Sequence, residues 1–304
     1  MSLRHSLAFG LAMILPLIGF TAAQAEPVRL VHEGRGLDGE LKLAAGKTPR
    51  DGIMLLVHGT LAHNRMEIMQ SLQETLAERG LSTVAVTLSL GVSDRKGMYD
   101  CALPHRHSNA QAAAEIAAWI DWAGKAGAGK IGLLGHSRGG AQVAYYAAQK
   151  GDVLPPALQK IVLVAPTTFD RAAAPAEYQA RFGGDFNAII AKAEALQATG
   201  KGDELLTGTD FMYCQKTSVA ATTFSDYHNG DGRNDAPSLL PRIRRPVLLA
   251  IAGGDEVVKD LPQKLRAVSG AEKIRTITVD GADHFFQDLY GEDLADAIAK
   301  FWAE

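Results

Sequence analysis

Short continuous apolar runs alternate with longer amphipathic ones through the first half of the chain. Val28–Val31 and Gly39–Leu43 read as two short strands around a Gly/Asp turn, an opening hairpin. Ile53–Val57 is apolar at every position and ends at His58-Gly59. Unbroken rather than alternating apolarity suits a strand covered on both faces, as in a parallel sheet. Arg65–Arg79 then carries Met66, Ile68, Met69, Leu72 and Leu76 at helical spacing and stops at Gly80. Thr83–Leu90 is the next strand, and Asn109 opens an alanine-rich helix reaching about Trp122. Ile131–Leu134 predicts a strand, Gly139–Gln149 a helix, and Ile161–Val164 a strand ending at Pro166.

That alternation predicts an α/β fold, a mostly parallel central sheet with helices on both faces. It breaks at Thr167. The following stretch holds helical segments, notably Asp185–Ala198, and a turn-rich tract from Ser225 to Asp235, but no obvious buried strand. Strand and helix alternate again from Val247–Ala252, through Leu261–Val268 and Ile274–Val279, to a last helix over Phe285–Trp302. The expected organisation is a core over 26–166 and 246–304, with 167–245 inserted above the sheet as a mainly helical cap.

The N-terminus belongs to neither part. Arg4 and His5 precede an apolar run from Leu7 to Phe20, and Ala23-Gln24-Ala25 closes it with small residues. This is the pattern of a secretory signal peptide over 1–25, with cleavage after Ala25. The run is too short to span a bilayer comfortably, so no membrane anchor is expected after cleavage, and the mature chain should be periplasmic or secreted. Export changes the reading of the only two cysteines, because Cys101 and Cys214 would meet an oxidising compartment. Bulk composition is ordinary, and a net charge of −3 without long runs of either sign argues against nucleic acid as a partner.

The chemistry concentrates where predicted strands end. Gly135-His136-Ser137-Arg138-Gly139 matches Gly-x-Ser-x-Gly, a weak pattern alone, but here it follows a strand and opens a helix. That strand–turn–helix holds a serine hydroxyl at the sheet edge, over the positive end of a helix. A hydroxyl is a poor nucleophile until a base takes its proton. His284, just past the last strand, sits at the same edge. Such a base needs a carboxylate to set its tautomer; Asp255, after the penultimate strand, is the candidate, with Glu256 and Asp170 as competitors. Asp283 abuts His284 in sequence but should point elsewhere. Two N–H groups would serve a developing oxyanion, that of Arg138 and that of Thr60 in the His58-Gly59-Thr60 loop, with Leu61 as the substitute if the loop is shifted. The side chain of His58 should order this loop.

Taken together, His58-Gly59, the Gly135–Gly139 elbow, Gly254-Asp255 and Gly281-Ala282-Asp283-His284 resemble the α/β-hydrolase superfamily from about residue 27 to the end. The resemblance implies hydrolysis through an acyl-enzyme, most often of a carboxylic ester, with a cap where residues 167–245 fall. The elbow and cap look like esterase, lipase and acyl-hydrolase members. The chain lacks the His-Gly-Gly-Gly run of another lipase and esterase branch. The expected partner is therefore a small-molecule ester or acyl substrate, with no cofactor required. An amidase or peptidase using the same residues is a second reading, and a non-catalytic exported binding protein a third.

Three features carry weaker expectations. The loop Gly91–Ser108 should lie on the active-site side, and its His105-x-His107 near Asp100 and Cys101 has the residue types of a metal site. Triad chemistry needs no metal, so lining a pocket is the preferred role. Cys101 in this loop and Cys214 in the cap would be neighbours able to form a disulfide. Phe182, Phe186, Ile189, Ile190, Phe211 and Met212 are apolar cap positions that suit either an acyl pocket or the cap's own core.

Overall fold

The structure is a computed structural model describing residues 24–268, 270 and 274–304. The expected leader, through residue 23, lies outside the described residues. The chain opens with the antiparallel hairpin β1 (Glu26–His32) and β2 (Arg35–Lys42). It continues through β3 (Ile53–Val57), α1 (Glu67–Glu78), β4 (Ser82–Val86), α2 (Asn109–Lys125), β5 (Ile131–His136), α3 (Arg138–Lys150) and β6 (Leu158–Val164). The inserted stretch contains α4 (Ala174–Phe182), α5 (Phe186–Ala198), β7 (Leu205–Phe211), β8 (Cys214–Ala220), α6 (Ala221–His228) and α7 (Ala236–Leu239). β9 (Val247–Ala252), α8 (Leu261–Ala267), β10 (Arg275–Val279) and α9 (Leu289–Ala303) finish the chain.

Eight strands form one sheet in the order β1-β2-β4-β3-β5-β6-β9-β10. β2 runs antiparallel to β1 and β4, and every pairing from β4 to β10 is parallel. The pleat divides β3 between two cores. Ile53, Leu55 and Val57 pack with Ile116 and Trp119 of α2 and Val143 and Tyr146 of α3. Met54 and Leu56 pack with Ile68 and Leu72 of α1 and Leu294 and Ile298 of α9. Both faces are thus covered, which is why the strand is apolar throughout; each such side chain contributes about 1.5–3 kcal/mol when fully buried. Strand order reverses around β3, so the loops after β3 and β5 open at a topological switch point, where sheets of this kind bind ligands. Among the described residues no helix is long and apolar enough to cross a membrane.

Several expected boundaries move. The strand expected to reach Leu90 ends at Val86, because the Leu88 N–H turns to His58 and Leu90 takes a positive φ of 50°. The final helix begins at Leu289 rather than Phe285, since Phe286 and Asp288 have φ of 48° and 55°, outside helical space. The larger correction is within residues 167–245, where the expectation of no obvious buried strand fails. β7 and β8 form an antiparallel hairpin. Its strands mix Thr, Gly, Asp, Gln and Lys with a few apolar positions, so they lack the continuous apolarity that marks the main sheet. The burial of Cys214, Thr217, Val219 and Ala220 in β8 comes from its tertiary neighbours.

Those neighbours include the loop after β4. His105 N–H donates to Ser218 O at 2.8 Å, Ala220 N–H to His105 O at 2.9 Å, and Thr217 Oγ1 to Cys101 O at 2.8 Å. Beside them Cys101 and Cys214 are joined in a disulfide across 113 residues of sequence. The pairing is the one expected. A bond closing so long a loop contributes up to about 4–5 kcal/mol by restricting the unfolded chain. Thiol titration of oxidised, denatured protein should find no free thiol, and two after reduction. The Cys101→Ser/Cys214→Ser protein should show a lower urea midpoint, and an unchanged midpoint would mean that the hairpin's other contacts suffice.

Candidate active site

The turn after β5 is tight because two glycines make it possible. A Cβ at Gly135 would lie 2.3 Å from Gly139 O, and one at Gly139 would lie 2.4 Å from His58 O. Ser137 between them has φ 55° and ψ −122°, a conformation that costs a non-glycine residue about 1–3 kcal/mol. Its backbone is held from both sides. Ser137 N–H donates to Val164 O at 2.9 Å, and Ser137 O accepts from Gly140 at 2.9 Å and Thr167 at 3.1 Å. The side chain therefore projects from the N-terminus of α3, only 5% exposed.

Three expected residues meet here. Ser137 Oγ lies 2.9 Å from His284 Nε2, and His284 Nδ1 lies 2.8 Å from Asp255 Oδ2. The carboxylate assigns the proton to Nδ1, leaving Nε2 to accept from the serine. Asp255 is fixed in turn by the N–H groups of Val257 at 2.7 Å and Val258 at 2.8 Å. Burial alone raises the Asp255 carboxyl, but hydrogen bonds from His284 and these two amides outweigh it and hold the group below its ordinary 3.8. The competitors lie elsewhere: Glu256 is exposed and pairs with Lys259, and Asp170 accepts from Ala172 N–H. Asp283 accepts from Phe285 and Gln287 N–H, turned away from His284.

The loop after β3 approaches the same point. His58 Nε2 accepts from Leu88 N–H at 3.0 Å and Arg95 Nη2 at 3.2 Å, which leaves Nδ1 to donate to Gly59 O at 2.8 Å. His58 thus orders this loop, and Arg95, which sequence reasoning missed, braces it. Thr60 lines a common cavity with Ser137 and Arg138, while Leu61, with φ 56°, is buried against Tyr99 and Cys214. Arg138 Nε donates to Thr60 Oγ1 at 3.1 Å, linking the two residues whose N–H groups are the oxyanion candidates. His136 was also missed. Its Nε2–H donates to His284 O at 2.9 Å and its ring lies 4.9 Å from that of His284. The only sequence signal for it was its place as the first variable residue of the elbow.

Two cavities meet at Ser137. One, of about 260 Å³, includes Phe182, Phe186, Phe211, Met212, Arg138 and Arg181 in its wall. The other, of about 150 Å³, is lined by Met66, Ile68, Met69, Met98, His284 and Phe285. Of the apolar cap positions singled out above, Phe186 and Phe211 serve both as cavity wall and as cap core, whereas Ile189 and Ile190 belong to the core alone. His105 and His107 lie against the cap: His105 stacks on Tyr99 and faces His107 at 3.0 Å, and His107 faces Tyr227 Oη at 2.9 Å. Cys101 is spent in the disulfide, and among the described residues no three His, Cys, Asp or Glu side chains converge as metal donors.

Comparison with known proteins agrees with this fold. The sequence pattern of the alpha/beta hydrolase family matches residues 54–298, and the chain belongs to that family. No curated protein matches the sequence significantly. Among solved structures, Est1E from Butyrivibrio proteoclasticus is 19% identical with a TM-score of 0.61, over 91% of this chain and 97% of that one. A monoacylglycerol lipase from Paleococcus ferrophilus is 19% identical with a TM-score of 0.58, over 91% and 98%. The esterase domain of a Rhodothermus marinus protein is 15% identical with a TM-score of 0.56, over 91% and 98%. At such identities the likeness is one of fold.

The histidines packed around the site have a consequence for stability. Burial pushes His58 and His136 down to about 3, His105 to about 4, and His107 well below its ordinary value. An unfolded histidine takes up a proton near pH 6.5, while these stay neutral in the fold. Below pH 6.5 the unfolded state binds more protons, so their contribution is complete above that pH and declines beneath it. The slope is about 1.4 kcal/mol per pH unit for each such histidine, down to about pH 4. Urea midpoints should fall markedly between about pH 7.5 and about pH 5; equal midpoints would show that these rings are protonated in the folded protein.

Proposed function

We propose that this hydrolase is an exported serine esterase that cleaves a carboxylic ester through an acyl-enzyme on Ser137. The observation that carries the reading is the continuous chain from Ser137 Oγ to His284 Nε2 at 2.9 Å and from His284 Nδ1 to Asp255 Oδ2 at 2.8 Å. Ser137 Oγ attacks the ester carbonyl as its proton passes to His284 Nε2. Asp255 holds the ring and stabilises the imidazolium. The carbonyl oxygen, now negative, accepts from the N–H groups of Thr60 and Arg138. Collapse of the intermediate expels the alcohol, which takes the proton from His284. Water then attacks the acyl-enzyme by the same route, giving the acid and restoring Ser137.

An ester suits this machinery because its leaving alkoxide needs less help than an amine. Residues 167–245 act in this reading as the cap that closes the substrate chamber. The leader pattern at residues 1–25 and the Cys101–Cys214 bond support export.

Purified protein should hydrolyse p-nitrophenyl esters, and a fluorophosphonate should label Ser137. Ser137→Ala should lose about three decades or more of kcat. Failure of both turnover and labelling would favour the binding-protein reading, and labelling without ester turnover would favour an amidase. His136→Ala frees the His284 backbone and should lower kcat about 10–100-fold with little change in KM. An undiminished kcat would show that the neighbouring loop positions His284 without it.

A further inference from the structure

The cavity under the cap contains Arg138, a cation with no ion-pair partner among the described residues. Arg138 is half-buried in the wall of this cavity, with protein packed closely around it. Its guanidinium lies 5.3 Å from the Tyr227 ring centroid, and only its Nε donates, to Thr60 Oγ1. Among the described residues no carboxylate comes within 4.0 Å of it. The nearby acids are already engaged. Asp226 accepts from Asn109 N–H at 2.7 Å, Asn109 Nδ2 at 2.9 Å and Arg233 Nη1 at 2.6 Å. Asp235 accepts from Phe169 N–H at 3.0 Å, from Lys264 Nζ at 2.9 Å and from Ser238. His107 and His228 are kept neutral by burial and supply no further charge.

Arg181, exposed at the cavity mouth, packs over the Phe182 and Tyr213 rings, 4.9 Å from each centroid, and among the described residues no acid lies within ion-pairing reach of it. Glu177, which also borders the cavity, is exposed on α4 and pairs with neither arginine. A guanidinium partly shielded from water and free of protein acceptors gains most from a charged group that completes its hydrogen bonds. Arginine is also the side chain best shaped to grip a carboxylate through two parallel donors. The second cavity at Ser137 has the opposite character, with three methionines, an isoleucine and a phenylalanine in its wall.

We infer that the substrate is a two-sided ester, carrying a carboxylate that Arg138 binds under the cap and an apolar group that enters the methionine-lined cavity. This rests on the esterase reading and names its substrate class. The carboxylate can belong to the acyl half or to the alcohol half, since the ester bond lies between the cavities in either orientation.

The test compares three kinds of ester of similar length. They are monohexyl esters of succinate, glutarate and adipate, the hexanoyl ester of γ-hydroxybutyrate, and uncharged hexyl butyrate. Wild-type protein should prefer one of the charged kinds over the uncharged ester, and which kind it prefers assigns the half. In Arg138→Met the ratio of charged to uncharged kcat/KM should fall about 10–100-fold, the scale of a lost charge-assisted hydrogen bond. The ratio cancels any general loss from disturbing the Arg138 backbone. Circular dichroism and fluorophosphonate labelling establish that the variant is folded.

Turnover of hexyl butyrate with no preference for any charged ester would overturn the proposal and leave the esterase reading intact. If fluorophosphonate fails to label the wild type, the esterase reading falls, and the anion site is judged by binding alone. Calorimetry would then measure these charged esters on Ser137→Ala. Binding weakened at least about tenfold by adding Arg138→Met upholds the site. No binding, or binding indifferent to Arg138, overturns it.

Discussion

The backbone of Ser137 is the constraint on which the site depends. A residue with a Cβ does not adopt φ 55° and ψ −122° without cost, and here the cost is met by the surrounding lattice. β6 supplies the acceptor for the Ser137 N–H, α3 and Thr167 supply donors for its carbonyl, and Gly135 and Gly139 let the strand and helix close to contact. The turn also places the hydroxyl beyond the sheet edge, where loops from distant strands converge on it. Relaxing that one residue into an ordinary conformation would move the oxygen away from His284.

Around this point the protein keeps His58 and His136 neutral and uses them as fixed dipoles. His58 presents an acceptor to Leu88 and Arg95 and a donor to Gly59, so it couples the loop after β3 to the end of β4. His136 donates to the carbonyl of His284. Each ring is buried, and a charged ring there would be heavily penalised. Asp255 moves the opposite way, because the bonds it accepts favour its ionised form despite burial. The result is a carboxylate beside a histidine, set among neutral imidazoles that position backbone without competing for charge.

The segment between β6 and β9 is tied to the main sheet by directional links. The β7–β8 hairpin pairs with His105, is bonded through Cys214 to Cys101, and contributes Phe211 to a small aromatic core with Phe186 and Phe224. The same aromatic side chains turn partly toward the cavity. Thus the packing of this segment and the shape of the cavity are set by one group of residues, and a substitution that repacks the aromatic core alters both. Arg138 stands where these parts meet, with its backbone at the start of α3, its Nε on Thr60 and its guanidinium near Tyr227 of the cap.

The sequence by itself determined the parallel sheet, because strands buried on both faces must be apolar at every position, as Ile53–Val57 and Val247–Ala252 are. It also determined which residues reach one edge of that sheet: Ser137, Asp255 and His284 each follow a strand directly, and parallel strands end on the same side. The β7–β8 hairpin stayed hidden because its strands are largely polar, and their burial is conferred by partners distant in sequence. His136 and Arg95 were illegible for a related reason, since a residue that acts by bonding another's backbone leaves no local pattern. Only the tertiary structure decided that Phe186 and Phe211 both pack an aromatic core and line the cavity at Ser137, and that Arg138 borders that cavity with no ion-pair partner among the described residues. Such properties depend on what lies across a gap from a side chain, and spacing along the chain does not encode that.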